Sequence, residues 1–128
     1  MQTLSRHLLL CENYISQPAT FWRRDLWQQA GGLSTDYRAA FDYDLWIRLA
    51  ACSRALPIHQ VLASFRRHDT SISARQFERQ FQEELASAVR AGQPLHRLVH
   101  RFNCWKILCV YRLLSRRRGG GNAPPCSR

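Results

Sequence analysis

The apolar positions of this 128-residue chain fall into short stretches of contrasting period. Residues 2–11 place Leu4, Leu8 and Cys11 on one helical face. Residues 13–24, NYISQPATFWRR, carry strand-type side chains at Tyr14, Ile15, Thr20, Phe21 and Trp22, and Pro18 marks an edge, a bend or a crossing. A short helix is predicted over 25–30, closed by Gly31 and Gly32 where C′ glycines belong. After a loop at 33–40, Asp42 suits the N-cap of a further helix with a buried stripe of Leu45, Trp46, Leu49 and Ala50. Asp44 and Arg48 form an i,i+4 acid-to-base pair on that helix. Residues 57–65 suit a strand, and a polar turn follows. Residues 73–90 predict a helix with Phe77, Phe81, Leu85 and Val89 at four-residue spacing, broken by Gly92 and Pro94. A last helix is predicted over 95–117, before a flexible end at 119–128.

Charge changes this picture at one end only. The net charge is +10, but residues 1–92 hold 11 basic and 9 acidic residues, whereas 93–128 hold 8 basic residues and no acid. The body is close to neutral and the tail is a cation, so an argument from charge to nucleic acid concerns only the last third. A hydrophobic content of 45% with four tryptophans argues against disorder for the body, and the length allows at most one domain. Cys11, Cys52, Cys104, Cys109 and Cys126 form no C-x-x-C pair and show no pairing with nearby histidines. An odd number without zinc-like spacing fits a reducing compartment. The sequence shows no signal peptide and no apolar run near the ~20 residues needed to span a bilayer, so a cytoplasmic location is expected.

Candidate chemistry begins with Asp42 and Asp44 in AAFDYDLWIRLAA. An aspartate at a helix start is normally a cap or a solvated charge, held ionised by the helix dipole. An immobile carboxylate beside a glycine-containing loop is also what a general base for a hydroxyl proton requires. A capped carboxylate is a weak base, so that role needs burial to raise its pKa. His68 lies in a polar loop beside Arg66 and Arg67, which suits either surface exposure or contact with phosphate oxygens. Arg23 and Arg24 follow Phe21 and Trp22 as a basic-aromatic cluster, and His59, His96 and His100 have no partners in sequence.

The series QPATFWRR, AGGL, FDYDLWIRLA and LASFRRHDTS resembles, in order and spacing, the second half of family 2 glycosyltransferases, over about residues 12–73. The resemblance implies an α/β fold: residues 1–73 as part of a GT-A, Rossmann-like domain lacking its N-terminal nucleotide-binding half, then helices at 74–92 and 93–118 and a tail at 119–128. It implies an inverting transfer of a sugar from a nucleotide-sugar donor to an acceptor hydroxyl, with cell-surface polysaccharide or glycolipid as the expected product. Asp42 matches the aspartate of the acidic xED motif and so the general base, with Phe41 in the place of the motif's glutamate. Gly31 and Gly32 match the glycine loop beside the reacting sugars. Gln17, Arg23 and Arg66 match diphosphate or substrate contacts, and His68 a metal or diphosphate contact. A divalent cation, Mg2+ or Mn2+, is implied as cofactor. The donor half, with its metal-carrying DXD, would come from a missing upstream part or a partner chain, so this chain alone is expected to be inactive.

The basic tail reads separately. Leu95, Leu98, Val99, Phe102, Trp105 and Cys109 form one stripe, and Ile107, Leu108, Val110 and Leu114 widen it. With Arg97, Arg101, Lys106, Arg112 and the arginines at 116–118, this suits a helix lying in a membrane interface on the cytoplasmic face. It equally suits a helix packed on the domain with its charges in water. Without a helix-turn-helix, zinc or RNP signature, nucleic acid is not expected as a partner.

Overall fold

A computed structural model describes residues 5–64 and 76–118. Five α-helices follow in order: α1 (Arg6–Cys11), α2 (Arg24–Gln29), α3 (Phe41–Cys52), α4 (Phe77–Ala91) and α5 (Pro94–Arg118), with a 3-10 turn at Gln17–Ala19. No strand is present among the described residues, so the α/β, Rossmann-like expectation is overturned. The physical reason is that a strand exists only when another strand satisfies its backbone groups. Ser16, Thr20, Arg23 and Ser53 do have extended backbones, yet no ladder forms beside them.

Helix α3 is the centre of the molecule, contacted by α1, α2 and α4, while α5 packs on α1 and α4. Its Tyr43, Asp44, Leu45, Trp46, Ile47 and Leu49 are all buried, which is wider than the single stripe expected. A helix apolar most of the way round is covered on several sides. Leu9 and Leu10 of α1 and Ala88 of α4 complete the core.

The predicted faces of α4 and α5 are rotated away from those observed. On α4 the buried residues are Glu84, Ser87 and Ala88, while Phe77, Phe81, Leu85 and Val89 are half-buried. Small side chains at 87 and 88 let α3 approach closely, and the polar groups of that face find partners across the gap. On α5 the buried residues are His100 and Cys104, whereas Leu95, Leu98, Phe102 and Trp105 are exposed.

Local chemistry sets the helix ends. Ser5 caps α1 by accepting from the Leu8 N–H at 3.3 Å. Gly31 and Gly32, at φ 80° and 68°, close α2 as the sequence predicts, with the Gly32 N–H donating to the Trp27 carbonyl at 3.0 Å. A Cβ at Gly32 would stand 3.0 Å from the Trp27 ring, so space and backbone both favour glycine there.

At the start of α3 the expectation fails. Ala40 occupies the N-cap position, and Asp42 is the second residue of the helix, with its Oδ1 accepting from the adjacent Tyr43 N–H at 2.8 Å. The capping carboxylate comes instead from α4. Glu83 Oε2 accepts from the N–H groups of Arg38, Ala39 and Ala40 at 3.0, 2.7 and 3.1 Å, while its Oε1 accepts from Arg79. Burial pushes the Glu83 carboxyl up, but Arg79 and these N–H groups outweigh it, and the net shift is downward. A depressed carboxyl stabilises the fold above the ordinary glutamate value and loses that contribution as pH falls through the folded pKa. Glu83→Gln is therefore expected to cost about 1–3 kcal/mol at pH 7, with a smaller gap from the unsubstituted chain below about pH 4. Urea unfolding at the two pH values checks this, and a gap that does not change with pH contradicts the charged clamp.

Candidate functional site

The two aspartates of the D-Y-D stretch occupy opposite environments. Asp44 is buried and accepts from Arg48 Nε at 2.8 Å, Ser87 Oγ at 2.8 Å and Arg90 Nη2 at 2.6 Å. Arg48 also donates to the Ala30 carbonyl, so the network ties the end of α2 to α3 and α4. The i,i+4 pair read from the sequence is one arm of a larger junction.

Asp42 is half-buried, and its Oδ1 accepts from the Tyr43 N–H at 2.8 Å. Burial pushes its carboxyl up, against the opposing pull of the Tyr43 and Asp42 N–H groups. The conflict between a capping role and basicity is thereby removed: Asp42 does not cap, and its proton affinity exceeds that of an ordinary aspartate.

The remaining candidates do not gather around it. Gln17 is exposed in the 3-10 turn, and Arg23 is exposed and paired with Asp25 through Nε and Oδ1 at 3.0 Å. Gly31 and Gly32 lie at the end of α2, with Arg48 Nη1 3.9 Å from a Cβ built on Gly31. Arg66 and His68 lie outside the described residues. Arg23 lines a groove of about 960 Å3 with Tyr14, Trp22, Trp46, Leu49 and Ile58, and Asp42 is not part of its wall. Trp22 meets Trp46 edge-on there, with ring centroids 5.4 Å apart. His68, the metal contact the resemblance implies, lies outside the described residues, and the metal-carrying DXD belongs to the donor half. The one D-x-D present has its second carboxylate committed to two arginines and a serine.

A second constellation was not legible as a site in the sequence. Glu84 of α4 and His100 and Cys104 of α5 offer one ligand-type atom each, all within 4.8 Å of one another. His100 Nδ1 lies 3.2 Å from the Leu10 carbonyl oxygen, which makes Nδ1 the protonated nitrogen, and the buried Nε2 has no partner among the described residues. Asn13 Nδ2 and Gln80 Nε2 both donate to Glu84 Oε1, at 2.9 and 3.0 Å. Tyr43 stacks on the imidazole at 5.7 Å between centroids and donates its hydroxyl to the Leu9 carbonyl at 2.7 Å.

Burial pushes the Glu84 carboxyl up, and the nearby Asp42 charge adds to it. Burial and then the Glu84 charge push the Cys104 thiol up to about 12, while burial lowers the His100 imidazole. The signal that could have found this group is the His100–Cys104 spacing, i,i+4 on one helix, which contradicts the reading that no cysteine pairs with a nearby histidine. Glu84, on another helix, had no such signal. Compared with protein-family models, with curated proteins and with solved structures, the chain matches none.

Proposed function

We propose that the chain supplies the acceptor-side base of an inverting, family 2-type glycosyltransferase and works with a donor half contributed by another polypeptide segment. The observation that carries this is the division of labour between the aspartates: Asp44 is consumed by structure, while Asp42 keeps a half-buried carboxylate of raised proton affinity. With the expected sheet absent from the described residues, the reading rests on motif order and on this carboxylate. Asp42 takes the proton of the acceptor hydroxyl as its oxygen attacks the anomeric carbon, and the nucleoside diphosphate leaves from the opposite face.

The test is to express the 128-residue chain with a separately encoded, DXD-bearing donor half of a family 2 enzyme. Nucleoside diphosphate release is then measured from UDP-, GDP- and dTDP-sugars. Release above that of the donor half alone is expected, with negligible transfer by the chain alone. No gain on co-expression, or robust transfer by the chain alone, overturns the reading.

One observation favours a second role at the tail. Leu95, Leu98, Phe102, Trp105 and Leu113 are all more than half exposed along α5, with Arg97 and Arg101 exposed on the same helix. No helix among the described residues is long and apolar enough to cross a membrane, but such a face suits lying in an anionic interface. Co-sedimentation with phosphatidylserine-containing vesicles is expected, weakened by Phe102→Ser with Trp105→Ser; equal sedimentation of the double variant contradicts it.

A further inference from the structure

We propose that Glu84, His100 and Cys104 bind a transition-metal dication, with Zn2+ the ion their donor set suits, and that the ion ties α4 to α5. This site is separate from the Mg2+ or Mn2+ of the glycosyltransferase reading and stands whether or not that reading holds.

The geometry is close to what one ion needs. Ligand atoms around a tetrahedral zinc, with bonds of about 2.0–2.3 Å, sit roughly 3.5 Å apart. The three atoms here lie within 4.8 Å of one another, so side-chain rotations of about 1 Å close the site without moving a helix.

The surroundings of each donor hold it near the others. His100 is 1% exposed, and its buried Nε2 has no partner among the described residues. Its Nδ1–H points to the Leu10 carbonyl, the second contact that usually fixes the tautomer and ring orientation of a metal-bound histidine. A buried unpaired nitrogen lone pair is a cost that a bound cation removes. Glu84 is 3% exposed, and Asn13 and Gln80 both donate to its Oε1, which fixes the carboxylate beside His100 and Cys104.

One thiolate, one imidazole and one carboxylate favour zinc over Mg2+ or Ca2+, which take oxygen ligands. The three side chains line a cavity of about 110 Å3, shared with Cys11, Asn13 and Gln80. That is room for a water in the fourth position. On binding, the Cys104 S–H bond breaks, its proton passes to solvent, and the sulfur forms the metal bond. No electrons are exchanged.

The experiment uses the full chain, stripped with a chelator and titrated with Co2+ as a spectroscopic stand-in for Zn2+. A saturable thiolate-to-cobalt band at one ion per chain is expected, displaced by Zn2+, with a rise in the thermal unfolding midpoint on adding Zn2+. Cys104→Ser is expected to abolish the band, Cys52→Ser to retain it, and Glu84→Gln to weaken binding about tenfold or more. Absence of a saturable band in the unsubstituted chain overturns the proposal without relying on any variant's folding. A band that survives in Cys104→Ser, reporting other cysteines, overturns it as well.

Discussion

Asp44→Ala is expected to abolish the cooperative unfolding transition, or to cost about 3–5 kcal/mol if a transition survives. The carboxylate is 1% exposed and receives three donors from three residues, so its removal strands Arg48 against the Ala30 carbonyl and leaves Ser87 buried without its acceptor. Three elements lose their junction at once, because α2, α3 and α4 meet through this group. The loss is set by the partners left behind, since a well-packed apolar replacement of a whole buried pair is often neutral. Arg90→Ala is expected to cost far less, because its side chain is 56% exposed and its attraction to Asp44 is screened. Urea unfolding followed by Trp fluorescence distinguishes the two; an Asp44→Ala protein within about 1 kcal/mol of the unsubstituted chain contradicts the junction. A domain with stability of about 5–15 kcal/mol has little margin for such a loss.

Asp42→Asn, two residues away, is expected to do the reverse. A carboxyl whose folded pKa is raised contributes stability below its unfolded value near 3.8, and loses it as pH rises through the folded value. At pH 7 the charged Asp42 is therefore held at a cost set by its burial, and the amide removes that cost. Asp42→Asn should unfold at higher urea than the unsubstituted chain at pH 7, with the advantage fading below pH 4. In the reconstituted transferase assay the same substitution is expected to lower the rate by about two to four orders of magnitude, with the fold intact. Full activity in the variant would remove Asp42 from the role of base. The unsubstituted rate should also rise with pH along a limb displaced upward from an ordinary aspartate.

Helix boundaries followed from neighbours in sequence: Gly31 and Gly32 end α2, and Gly92 with Pro94 separates α4 from α5. The Asp44–Arg48 arm was legible because i,i+4 groups meet on any helix. The orientation of α5 was not, because apolar residues run nearly round it and periodicity cannot choose between two apolar faces. Its large side chains ended outside, and the smaller His100 and Cys104 inside.

The sequence by itself determined the chain's helical segments, their stops and the local acid-base pair, all set by interactions within about one helical turn. Tertiary structure alone decided the rest. It withheld strands from 13–24 and 57–64 because nothing among the described residues pairs with them, and it gave the α3 start to Glu83, more than forty residues away. It separated Asp42 from Asp44 by burial and partners, and it gathered Glu84, His100 and Cys104 across two helices. Such choices depend on which surfaces exclude water together, and that is a property of the packed chain rather than of any stretch within it.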